Sequence, residues 1–186
     1  MECNMFFFFT KRKNEKIIKK VTEEKLLVKD IPKKKFNSKL CLKLVSMDGL
    51  NLQYFPPEFR AYQTDEGFAI CEAAVTNNGL AIKYIYIDQG IKNYLHVSRK
   101  TVEITGMGET LDIHKAVYYT LAVIAIQDNI ESYKEVLKSP FDNIPDNLIV
   151  HFVEQVPSLF EELPKHQQSL VIDARLSLLE ESINTE

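Results

Sequence analysis

The feature that most constrains this chain is a motif that occurs twice at an offset of thirty residues. The first copy reads Cys41-Leu-Lys-Leu-Val-Ser-Met-Asp-Gly-Leu-Asn-Leu-Gln-Tyr54. The second reads Cys71-Glu-Ala-Ala-Val-Thr-Asn-Asn-Gly-Leu-Ala-Ile-Lys-Tyr84. Cys41/Cys71, Val45/Val75, Gly49/Gly79, Leu50/Leu80 and Tyr54/Tyr84 are identical, and Leu52/Ile82 is conservative. A short recurring unit of this kind cannot bury its own apolar face. It folds by stacking on its neighbours.

Each copy predicts a helix that stops at a glycine and a short second segment. Leu40, Cys41, Leu44 and Val45 form a helical stripe, as do Phe68, Cys71, Ala74 and Val75. Ser38 is the expected N-cap of the first helix and Thr64 of the second, with Asp65 and Glu66 in a favourable first turn. Asp48-Gly49 and Asn78-Gly79 are expected to supply a left-handed residue that ends each helix. Phe55-Pro56-Pro57 closes the first copy. Lys29-Asp30-Ile31-Pro32 reads as the same exit from an earlier, degraded unit that starts near Asn14. The expected fold is mainly α, a repeat-derived helical array with units at about 14–32, 31–56 and 56–85.

From about Ile31 to Ile85 the pattern resembles the bacterial repeats filed as domain of unknown function 4116. It runs Ile/Phe-Pro, Ser/Thr, Leu/Ile-Cys, a Val, Asp/Asn-Gly and Leu-x-Leu/Ile-x-Tyr. The resemblance implies an architecture and a setting, with no established chemistry. Such repeats are frequent in proteins that intracellular bacterial pathogens deliver into host cells. The end of the chain, Leu179 to Glu186, resembles the glutamate-rich C-terminal signals of type IV-secreted effectors. The expected location is therefore the cytoplasm, bacterial or host.

The rest of the chain is less repetitive. Residues 1–13 read as an N-terminal tail. Residues 93–105 alternate apolar and polar side chains, consistent with either a small β-hairpin or an irregular excursion between helices. A central helix is expected over about 112–138, apolar all round in its first half. Closing helices are expected over about 146–183, with Leu170, Val171, Ala174, Leu178 and Leu179 facing inward.

Charge is uneven along these 186 residues. Residues 1–39 hold twelve Lys and Arg against five acids, and residues 140–186 hold two against nine. The first pole is a candidate contact surface. No apolar run reaches the roughly 18 residues of a membrane span. Phe6 to Phe9 precede the basic cluster Lys11-Arg12-Lys13, the reverse of a secretory signal. Three cysteines without a CxxC pair suggest neither a zinc ribbon nor a redox motif. The histidines lack HxxxH or HExxH spacing. No cofactor, metal or catalytic residue is expected.

The leading functional expectation is a non-enzymatic protein–protein interaction module, with a host or bacterial protein as partner. Its candidate contact residues are Lys33, Lys34, Lys35, Tyr54 and Tyr84. One alternative is a cysteine-dependent enzyme using Cys41 or Cys71. That reading must explain why a nucleophile would be duplicated at equivalent apolar positions. A second alternative is nucleic-acid or acidic-lipid binding through the basic N-terminal region.

Overall fold

A computed structural model describes residues 2–86, 113–138, 144 and 146–183. Within them the chain is mainly α-helical. Helix α1 spans Glu2–Thr22, α2 Ser38–Met47, α3 Pro57–Arg60, α4 Asp65–Asn77, α5 Ile113–Asp128, α6 Ser132–Val136, α7 Asp146–Gln155 and α8 Lys165–Ile183. Short 3₁₀ segments follow three of the longer helices: Gly49–Tyr54 after α2, Gly79–Tyr84 after α4 and Pro157–Glu162 after α7. The residues expected as a hairpin or an irregular excursion, 93–105, lie outside the described residues. Residues 2–13, expected as a tail, are the first part of α1.

The elements form two layers. In one, α1 packs on α2, α2 on α4, α4 on α5, and α5 on α7. In the other, Val28–Asp30 packs on Gly49–Tyr54, Gly49–Tyr54 on Gly79–Tyr84, and Gly79–Tyr84 on α6. The stripes read from sequence are the surfaces that meet. Leu40, Cys41, Leu44 and Val45 are fully buried, as are Cys71, Ala74 and Val75. Leu121, Ala122, Ala125 and Ile126 of α5 and Leu148, Ile149, Phe152 and Val153 of α7 continue the same core. Each fully buried Leu, Ile, Val or Phe contributes roughly 1.5–3 kcal/mol, so the stacking surface dominates stability.

The helix starts follow local hydrogen bonding. Thr64 caps α4 as expected, its hydroxyl accepting from the Gly67 N–H at 3.0 Å. The α2 cap is Asn37 rather than Ser38. Its side-chain oxygen accepts from the Leu40 N–H at 3.1 Å. The Asn37 amide also exchanges two hydrogen bonds with Asn14 of α1, at 2.9 and 3.1 Å. Asn37 therefore caps one helix and ties it to another. Ser38 is the first residue of the helix, and its hydroxyl pairs with Glu66 of α4.

The glycines act differently from expectation. Asp48 and Asn78 are extended, both with φ −156°. Neither Gly49 nor Gly79 has a left-handed φ. Each Asx side chain instead starts the 3₁₀ segment, accepting from the N–H of Leu50 at 2.9 Å or Leu80 at 3.1 Å. What demands glycine is space. A Cβ on Gly49 would overlap the Ala74 carbonyl of α4, and one on Gly79 would overlap the Ala125 carbonyl of α5. At each contact the glycine N–H donates to the next helix: Gly49 to Asn77 Oδ1 at 2.6 Å, Gly79 to Asp128 Oδ2 at 2.7 Å.

That geometry exposes a further unit where the sequence suggested one helix over 112–138. The helix ends at Asp128, and Asn129 repeats the turn of Asn78. The Asn129 N–H donates to Ala125 O at 2.9 Å, and its side chain accepts from the Glu131 N–H at 3.0 Å. The Ser132 N–H then donates to Asn129 O at 2.9 Å, just as Ala81 does to Asn78 O. Val156 and Leu159 repeat the two backbone bonds at the end of α7. Helix α1 ends in another way, with Lys25 N–H bonded to Lys20 O and Glu24 N–H to Val21 O. This Schellman pattern places Glu24 at φ 57°, the one non-glycine residue with positive φ among those described.

Three outcomes are expected in urea titrations. Gly79→Ala should lose roughly 2–3 kcal/mol by overpacking, and Asp128→Ala about 1–3 kcal/mol by orphaning the Gly79 N–H. Glu24→Gly should gain about 1 kcal/mol by relieving a left-handed side-chain residue. An unchanged midpoint in Gly79→Ala would contradict the packing described.

Candidate interaction surface

The two repeat cysteines sit in the core. Cys41 and Cys71 are both fully buried and unbridged. Burial pushes the Cys41 thiol up to about 12. The Cys71 thiol is raised further, chiefly by burial, and its Sγ donates to the Arg60 carbonyl at 3.3 Å. A nucleophilic cysteine needs the opposite: a lowered pKa and access. Among the described residues, no three His, Cys, Asp or Glu side chains converge as a metal site. His151 and Glu154, one turn apart on α7, stand 3.8 Å from each other.

The candidate contact residues lie on the layer of short helices. Lys33–Lys35 form a single 3₁₀ turn whose three side chains face solvent. The next residue, Phe36, is buried against Phe55 with ring centroids 5.3 Å apart. Phe55 itself follows Tyr54. This aromatic contact seats the lysine turn beside the segment that ends at Tyr54. Tyr54 is 41% exposed. Tyr84, half-buried, occupies the same place in the neighbouring segment, with the Lys83 ammonium 5.1 Å from its ring centroid. A cation over an aromatic face in this way contributes about 0.5–1 kcal/mol when exposed.

The N-terminal segments expose further lysines and acids. Lys13, Lys16, Lys19 and Lys20 of α1 are exposed, as is Lys29. Glu23 pairs with Lys19 at 3.7 Å and with Lys25 at 2.6 Å. Lys83 and the exposed Tyr86 were not among the candidate contact residues named from sequence. Tyr86 is held by its backbone, its N–H donating to Arg60 O at 3.0 Å. The Lys83-Tyr84-x-Tyr86 spacing was visible in the sequence. Its placement on the ridge depends on the stacking of Gly79–Tyr84.

Compared with protein families, curated proteins and solved structures, the chain matches none of them. No helix among the described residues is long and apolar enough to cross a membrane.

The buried thiols lead to a kinetic prediction. Under native conditions at neutral pH, iodoacetamide should label Cys41 and Cys71 orders of magnitude more slowly than in denaturant, when read by peptide mass spectrometry. Fast native labelling of either residue would contradict their sealed environment.

Proposed function

We propose that this chain is a non-enzymatic protein-interaction module whose contact face is the ridge of short helices. The observation that carries this reading is the register of Tyr54 and Tyr84. They stand at the same position of adjacent stacked segments, and the Phe36–Phe55 contact sets Tyr54 beside the exposed Lys33–Lys35 turn. Repeat arrays present such surfaces on a rigid backbone, so a partner meets side chains that are already ordered. Tyrosine brings large contact area at low entropic cost, and lysines select for negative charge. The partner expected from this chemistry is a protein with an acidic segment. The burial of Cys41 and Cys71 argues against the cysteine-dependent alternative.

The setting we propose is that of a secreted bacterial effector acting on a protein in the host cytosol. The repeat pattern over Ile31 to Ile85 and the acidic residues from Leu179 to Glu186 support it. A translocation reporter fused to the chain should reach host cytosol, and deletion of Leu179 to Glu186 should reduce delivery.

The contact face is tested by affinity capture followed by titration with the purified partner. The triple variant Lys33→Glu, Lys34→Glu, Lys35→Glu should bind at least about tenfold more weakly, mainly through a slower on-rate that is sensitive to salt. Tyr54→Ala should lose about 1–2 kcal/mol of binding without loss of folding stability. A partner whose affinity ignores all four changes would overturn the assignment of this face. Capture of nucleic acid, with a steep salt dependence, would favour the alternative reading of the basic region.

A further inference from the structure

The junction at the second repeat glycine contains a reactive sequence. Asn78-Gly79 is the one Asn-Gly pair in the chain. In such a pair the backbone nitrogen after asparagine can attack the side-chain amide, because glycine has no Cβ to shield it. The Gly79 nitrogen gives its proton to water or hydroxide and forms a bond to Asn78 Cγ. Ammonia leaves as the Cγ–Nδ2 bond breaks, and water then opens the cyclic imide. The product is aspartate or isoaspartate, with one water consumed for each ammonia released. The fold holds both reacting groups away from this step. The Gly79 N–H donates to Asp128 Oδ2 at 2.7 Å, so its deprotonation would set an anionic nitrogen against a carboxylate. The Asn78 side chain is turned to the Leu80 N–H, from which Oδ1 accepts at 3.1 Å. The Asn78 backbone is fixed on both sides, its N–H donating to Ala74 O and its carbonyl accepting from the Ala81 N–H, each at 2.9 Å.

We infer that Asn78 is a latent deamidation site, shut in the folded array, and that its conversion loosens the junction between Gly79–Tyr84 and α5. The first junction shows what conversion changes. There the cap is Asp48, which accepts from the Leu50 N–H, and the acceptor for the Gly49 N–H is the neutral Asn77. At the second junction the cap is the neutral Asn78, and the acceptor for the Gly79 N–H is Asp128. Each junction thus sets one carboxylate and one amide on two successive N–H groups. Aspartate at position 78 puts a second carboxylate beside Asp128, like charge against like. Isoaspartate does more. It routes the main chain through Cβ and Cγ, so the carbonyl that accepts from Ala81 becomes part of a free carboxylate and the turn loses its register. The reaction is one-way, so a junction opened by it stays altered when the array closes again.

The test incubates the full chain in mildly alkaline buffer, folded or in urea. Conversion at Asn78 is followed by peptide mass spectrometry, with isoaspartate resolved chromatographically from aspartate. Conversion should be at least about tenfold slower in the folded chain than in urea. Asp128→Ala, which frees the Gly79 N–H, should convert at least about tenfold faster than wild type under native conditions. A second arm needs no conversion. Asn78→Asp should lower the urea midpoint, and adding Asp128→Asn, which recreates the pairing of the first junction, should recover most of the loss. Equal conversion rates in the folded and unfolded chain would overturn the shut state. An Asn78→Asp midpoint equal to that of wild type, or one that Asp128→Asn lowers further, would overturn the loosening.

Discussion

The fold depends on a backbone contact between successive units. At the start of the Gly49–Tyr54 and Gly79–Tyr84 segments the glycine N–H has no partner within its own helix. It lies buried against the next unit, so it needs an acceptor there. Asn77 supplies it to Gly49, and Asp128 supplies it to Gly79. The donor can come this close only because glycine has no Cβ to strike the Ala74 or Ala125 carbonyl. Glycine in one unit and an Asn or Asp at the end of the next helix are thus two halves of one device. Where the preceding unit offers no glycine, the acceptor position changes type. Met47 stands there in α2, which follows the Schellman end of α1, and Gln155 stands there in α7, which follows the Ile130 turn.

Much of this was legible in the sequence, because the Cys, Val, Gly and Tyr of the repeat mark slots with fixed roles. The role of glycine was the harder part. Asn-Gly after a helix ordinarily signals a left-handed cap. Here the torsions are ordinary and the constraint is a neighbour 25 or more residues away, which no local pattern reveals. The unit formed by α5 and α6 was hidden for a related reason. Ile130 stands where Gly49 and Gly79 stand, so only Asn129 preserved the signature. The Asn37–Ser38 choice was also local in appearance and tertiary in fact. Both residues are good caps, and the Asn14 amide on α1 accompanies the capping role at Asn37. On α8 the sequence predicted an inward stripe of Leu170, Val171, Ala174, Leu178 and Leu179. Val171 is buried and Leu170 and Ala174 are half-buried, whereas Ile172 and Leu176 stay outside.

The same architecture separates the residues that could react from those that could bind. Cys41 and Cys71 fall on the inward slot of the long-helix layer, where duplication reflects packing. Tyr54 and Tyr84 fall on an outward slot of the short-helix layer, where duplication produces a row. Repetition thus aligns side chains along a surface as well as along a core. The lysine turn joins this row through the Phe36–Phe55 contact, which couples a core interaction to the placement of surface charge.

The central claim is that the units are locked together by the glycine N–H contacts. Native-state hydrogen exchange of the Gly49 and Gly79 amides, followed by NMR, tests it most directly. The account predicts that both amides exchange as slowly as the Cys71 amide in the middle of α4, through the same cooperative opening. Exchange at the rate of the exposed Lys33–Lys35 turn would contradict it, because the units would then separate without opening the helices they join.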